Sequence, residues 1–176
     1  MKKFLTTLFV ITSLAASAQA VIVGVDAGYL IDSEEEFLSA RVGFEVAQSN
    51  AFSHQLDLEL GYTDMKEAGA KGEIIPLMAN YRFVAPVAES GWSYYLGAGL
   101  GVARVSVDGA SINGPVRLRD ESFALQAFAG VSYQLNATAS ITAGARYLWI
   151  DDVTFAGSSF EVGDDVALSL GLNFKF

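Results

Sequence analysis

Residues 165–176 read DVALSLGLNFKF, and their alternation is strict. Val166, Leu168, Leu170, Leu172, Phe174 and Phe176 share one face, while Asp165, Ala167, Ser169, Gly171, Asn173 and Lys175 share the other. A period of two is the period of a strand, because successive side chains leave a pleated chain on opposite sides. One face is wholly apolar and the other is small, polar or charged, so the strand separates two chemically different media.

The same pattern recurs near residues 21–31, 38–47, 54–63, 73–83, 92–104, 122–135 and 139–149. With 165–176 these make eight segments, most of them about the 9 to 11 residues that a tilted strand needs to cross a membrane. A soluble barrel also alternates, and three further features favour the membrane. The polar face is rich in small residues such as Gly97, Gly99, Gly101 and Ala103, which suits a narrow lumen better than a water-facing exterior. Traced up and down, the outward aromatics sort into two rings: Tyr29, Tyr62, Phe123, Tyr147 and Trp149 at one end; Phe44, Tyr81, Phe83, Trp92, Tyr94, Tyr133, Phe174 and Phe176 at the other. Such rings mark the two interfaces of a membrane barrel. The connections also alternate: short ones follow strands two, four and six, and two long ones, 105–121 and 150–164, lie at the opposite end. The expected fold is an all-β, eight-stranded antiparallel up-and-down transmembrane β-barrel.

The N-terminus carries an export pattern. Lys2 and Lys3 precede an apolar run, and Ala18-Gln19-Ala20 offers the small residues that a signal peptidase requires. The run is shorter than the roughly 20 residues of a spanning helix. The expected division is therefore a signal peptide at 1–20 and one barrel domain at 21–176. There is no cysteine, so no disulfide staples the fold. The formal net charge is -9, and loss of Lys2 and Lys3 makes it -11, which argues against nucleic acid as a partner.

The stretches IIPLMANYRF, YYLGAGLGVARV and FALQAFAGVSYQL, with the terminal LSLGLNFKF, resemble strands of the small outer-membrane barrels related to the OmpA transmembrane domain and to OmpX. The resemblance covers essentially all of 21–176. It implies residence in the outer membrane of a Gram-negative bacterium among lipid and lipopolysaccharide, a monomer, and a last strand recognised by the assembly machinery through Leu172, Phe174 and Phe176. It also implies a structural or surface-interaction role with a side-chain-filled lumen and no general porin activity. A lipid-modifying enzyme, or a barrel holding a small apolar ligand, is the alternative.

His54 is the only histidine, and the tracing puts it beside a turn at the end opposite the long loops, away from where acyl-transfer chemistry on the outer leaflet would occur. No catalytic residue, cofactor or metal site is therefore assigned. The glycines at 97, 99 and 101 recur within a strand rather than opening a helix, so they do not form a phosphate loop. The loops are acidic, with Asp32, Glu34, Glu35 and Glu36 in one and Asp151, Asp152, Glu161 and Asp164 in another, which suits solvated segments and permits a cation-bridged rim. Alternation points Asp26, Arg41, Glu45, Asp57, Glu59, Arg82, Arg146, Asp165 and Lys175 into the lumen as a charge network. Arg82 is expected beside Asp57, and Arg146 with Asp165 towards the long loops.

Two expectations can be measured directly. Intact mass of the exported protein should correspond to a chain beginning at Val21, and retention of Met1 would remove the export argument. Deleting Phe176 should reduce the heat-modifiable folded form recovered from membranes, whereas an unchanged yield would leave the terminal aromatic without a role in assembly.

Overall fold

A strand leaves its N–H and C=O groups pointing sideways, and where no water can reach them each needs a partner on a neighbouring strand. This chain meets that demand by closing a sheet on itself. The structure, a computed structural model, describes residues 20–49, 51–67, 70–111, 114–155, 158–160 and 162–176. The expected signal peptide, Ala20 apart, lies outside the described residues.

The strands are β1 (Val21–Leu30), β2 (Glu36–Gln48), β3 (Ser53–Glu67), β4 (Ala70–Pro86), β5 (Trp92–Ser111), β6 (Gly114–Gln134), β7 (Ala139–Ile150), β8 (Val153–Phe155), β9 (Ser158–Phe160) and β10 (Gly163–Lys175). Eight of them form a closed barrel, each antiparallel to its sequential neighbour, with β10 returning to β1. β8 and β9 pair only with each other. At the seam Val21 N–H donates to Phe176 O at 3.0 Å and Phe176 N–H donates to Val21 O at 2.9 Å, so the last residue completes the last rung. Among the described residues no helix is long and apolar enough to cross a membrane; the strands are the spanning elements.

Side-chain direction follows the sequence alternation. Val25, Leu58, Leu100, Leu168 and Leu170 are exposed on the outside, and Arg41, Glu59, Asn80, Gln126 and Arg146 are buried within. In a soluble protein this inversion would be costly; against hydrocarbon it is the stable arrangement. The aromatic rings lie outside at both ends, with Tyr29, Tyr62, Phe123 and Tyr147 exposed at one and Tyr81, Trp92, Tyr94, Phe174 and Phe176 at the other.

The connections differ from the expectation. The segment 105–121, read as a long loop, is mostly strand: β5 and β6 pair from Trp92↔Tyr133 up to Ser111↔Gly114. β3 and β4 likewise extend to Glu67↔Ala70. β6 pairs with β7 only from Ala124 onward, so its first ten residues stand above the closed ring. Alternation fades there because the outer face no longer meets hydrocarbon, while ladder pairing continues to satisfy the backbone. The segment 150–164 is not a plain loop either, since it contains the β8–β9 hairpin. A further irregularity follows from Pro76, which lacks an N–H: β3–β4 pairing lapses between Leu60↔Leu77 and Thr63↔Ile74, opposite Pro76.

Leu170, 69% exposed and midway along β10, tests the assignment of faces. Leu170→Arg should lower the unfolding free energy in lipid vesicles by about 2 to 4 kcal/mol, and Phe176→Arg at the interface by about 1 kcal/mol or less. Urea titration of both variants measures the difference, and equal losses would mean that the outer face does not sense depth.

Candidate functional site

Eight strands leave an interior just wide enough for side chains, so every inward residue has neighbours across the lumen. The inward rows stack into three storeys. Nearest the long β5–β6 hairpin the storey is apolar: Ile74, Met78, Ala103, Val105, Ala124, Leu148 and Ile150 pack with Val153 of β8, and Val107 and Val162 lie against them. The connection from β7 to β10 thus folds back and stops that end. It is held there by Asp151 N–H donating to Phe123 O at 2.9 Å and by Ser122 Oγ donating to Asp152 O at 3.1 Å.

The middle storey is a polar network. Glu59, 1% exposed, accepts from Arg146 Nη1, from Asn80 Nδ2 at 2.8 Å and from Gln126 Nε2 at 3.3 Å. Arg146 Nη1 also donates to Gln126 Oε1 at 2.8 Å, and its guanidinium lies 4.9 Å from the centre of the Phe37 ring. Asn80 donates again to Asp57 Oδ1 at 2.7 Å and accepts from Gln126 Nε2 at 2.6 Å. Burying these charges costs several kcal/mol per ion, and hydrogen bonds to both oxygens of Glu59 are what offset that cost.

Toward the termini the charges are more loosely held. Arg41 donates to Asn173 Oδ1 and approaches Asp26 Oδ2 at 3.6 Å and Asp57 Oδ2 at 3.8 Å. Arg82 Nε lies 3.8 Å from Asp57 Oδ2, an ion-pair contact beyond hydrogen-bond length. Its guanidinium instead lies 4.7 Å from the centre of the Tyr95 ring and 4.6 Å from that of Phe128. Glycine makes this layer possible: a Cβ on Gly97 would collide with the Phe128 ring, and one on Gly144 with the Tyr95 hydroxyl. Beyond it a cavity of about 240 Å³ opens at the end where the termini meet, with Lys175 and Glu45 paired at 3.2 Å beside it.

Arg41, Glu45, Asp57, Glu59, Arg82 and Arg146 are therefore buried inside the barrel, with Asp26 partly buried and Lys175 at the rim. Arg82 stands beside Asp57, and Arg146, expected towards the long loops, is paired with Glu59 in the middle storey. Asp165 sits at the loop end, where its carboxylate accepts from Asp32 N–H at 3.0 Å, Ser33 N–H at 2.9 Å and Ser33 Oγ at 2.7 Å. It fastens the first loop, in which Glu34 adopts a left-handed φ of 57°, to the last strand. Sequence reasoning passed over Asn80, Gln126 and Thr142, and put Asn173 on the inward face without counting it in the network, although all four are neutral members of the interior. Parity would have found them, since Asn80 and Asn173 each stand two residues before a selected charge, Arg82 and Lys175.

His54 is on the outside at the termini end. Its Nδ1 shares a hydrogen bond with the Tyr81 hydroxyl, and its ring packs edge-on to Phe52 at 5.2 Å and near Phe83 at 5.6 Å. That is an interfacial aromatic cluster, and no serine hydrogen-bonds to His54 among the described residues. Nor does any group of three or more His, Cys, Asp or Glu side chains among the described residues have the placement to hold a metal ion.

The sequence profile of the outer membrane protein β-barrel domain matches residues 5–176. A comparison with curated protein sequences gives no match. Among solved structures the chain is similar to Neisserial surface protein A, NspA, at 20% identity and a TM-score of 0.68, over 89% of this chain and 96% of that one. It is similar to Ail, the attachment invasion locus protein of Yersinia pestis, solved with the heparin analogue sucrose octasulfate, at 16% identity, a TM-score of 0.56 and coverage of 89% and 97%. The outer membrane enzyme PagL shares the fold at 14% identity, a TM-score of 0.51 and coverage of 86% and 97%. At these identities the likenesses concern the fold, and it is the profile match over nearly the whole chain, joined to the closed eight-stranded barrel, that assigns this chain to the outer membrane protein β-barrel domain family.

Proposed function

We propose that the chain is exported by a cleaved signal peptide and works as a monomeric, non-enzymatic barrel of the bacterial outer membrane. It stiffens the bilayer and presents the β3–β4 and β5–β6 extensions and the acidic connections to the outside, among lipopolysaccharide. The short turns and the termini then face the periplasm, as in other barrels of this kind. The observation that carries the reading is the filled lumen: an apolar storey and a hydrogen-bonded polar storey lie in series, leaving side chains where a porin has water. A fold with no room for passage and strands that rise above its ring is suited to contact rather than to transport. The resemblance to Ail, named for attachment, agrees with this. PagL proves that the fold can host an enzyme, but the single histidine of this chain faces outward at the termini end, engaged with Tyr81.

Surface binding by cells with and without the protein tests the contact role, and equal binding to host-surface polysaccharides and proteins would count against it. The lumen makes two further demands. Planar bilayers holding the purified barrel should show no large, steady conductance. Arg146→Ala, which strands the buried Glu59, should cost about 3 to 5 kcal/mol of unfolding free energy; Arg82→Ala should cost less, because the adjoining cavity admits water; and the exposed Arg119→Ala should stay within about 0.5 kcal/mol. Equal losses for the three, measured by denaturant titration, would contradict a paired lumen.

A further inference from the structure

The open storey at the termini end has an electrostatic character opposite to that of the chain. The protein carries a formal net charge of -9, yet the charged residues lining this cavity are Arg41, Arg82 and Lys175 against Glu45 among the described residues. Asp26 and Asp57 stand behind the two arginines rather than in the lining. Glu45 is taken by Lys175 at 3.2 Å. The arginines are held more loosely: Arg41 donates to Asn173 Oδ1, but its Nε stands 3.6 Å from Asp26 Oδ2, and the contacts of both arginines with Asp57 Oδ2 are 3.8 Å long, so neither Nε nor that oxygen is hydrogen-bonded. A guanidinium offers five N–H donors, and one held by stacking between Tyr95 and Phe128 keeps most of them for another acceptor. Ser93, Ser132 and Thr142 add hydroxyls around it.

The middle storey shows what a satisfied arrangement looks like in this barrel. There Glu59 is bonded through both oxygens, whereas at the cavity floor the two guanidiniums face Asp57 Oδ2 without a hydrogen bond on either side. The apolar storey blocks the far end, so among the described residues this space is a blind cup that opens beside Val21 and Phe176. Its volume of about 240 Å³ exceeds that of a few waters and suits a compact solute. We propose that this cup is a binding site for a compact oxyanion, a phosphate or a carboxylate, admitted from the end of the barrel where Val21 and Phe176 meet. The anion would receive hydrogen bonds from the Arg82 and Arg41 guanidiniums at the floor and the charge of Lys175 at the rim. This site is independent of what the opposite end contacts, so a failed surface-binding result leaves it untouched.

The test is an amide NMR titration of the refolded, full barrel in detergent micelles with sodium phosphate, with sodium glutarate, and with sodium chloride at matched ionic strength. Phosphate, glutarate or both should give saturable shifts confined to residues of the cup, among them Ser93, Tyr95, Thr142, Asn173 and Lys175, with a dissociation constant in the millimolar range; which of the two saturates distinguishes a phosphate ligand from a carboxylate one. Lys175→Gln, at the half-exposed rim and with an amide that can still donate to Glu45, should weaken binding about two- to fivefold. Glu45→Gln should tighten it, and Arg82→Gln should abolish it. Should Arg82→Gln not refold, the Lys175 and Glu45 variants still decide the matter by moving affinity in opposite directions. Shifts that chloride reproduces, that scatter over the loop end, or that neither rim variant alters would overturn the proposal.

Discussion

Every backbone amide within a bilayer must find its partner inside the protein, and a sheet meets that requirement only by losing its edges. In this chain the requirement comes to a point at the seam, where Val21 and Phe176 exchange their backbone hydrogen bonds and β10 lies against β1. Once eight strands have closed, the width of the lumen is fixed, and so is the size of what can stand inside it. The glycines are a consequence: Phe128 and Tyr95 fit across the interior only because Gly97 and Gly144 have nothing to put in their way.

The same narrowness decides how charge is handled. A wide barrel lets water screen its interior, while here Glu59 and Arg146 are held by each other, by Asn80 and Gln126, and by the Phe37 ring. A buried ion pair of this kind adds little net stability over an apolar filling, but the loss of one member is costly, which makes the network a strong selector of one register. The interior is also graded along its axis. It passes from hydrocarbon-like packing around Met78 and Leu148, through a closely hydrogen-bonded belt, to a region beside the cavity where ions stand 3.6 to 3.8 Å apart.

The barrel was legible in the sequence wherever two media press on two faces of a strand. Leu168, Leu170 and Leu172 announce lipid, and Asp57, Glu59 and Arg82 announce an interior, because a misplaced charge in hydrocarbon costs so much. Above the ring that pressure ceases, and 105–121 reads as loop although ladder pairing continues through it. Contacts between distant strands were harder to read. Barrel tilt staggers the strands, so Arg146, expected towards the long loops, meets Glu59 on β3 across the middle of the lumen. Neutral Asn80 and Gln126 carried no sign by which a charge-led reading would find them, although they bridge the ions that it found.

The way the apolar storey is closed also bears on how such a surface can diverge. Val153 and Val162, from the connection between β7 and β10, are built into the same cluster as Ile74 and Leu148, so that connection belongs to the core as much as to the exterior. A change at Val153 or Val162 is therefore a change to the plug, and the volume it removes or adds must be matched by the residues packed beneath it. The β7–β10 connection is in this way constrained from inside the barrel as well as by what it meets outside.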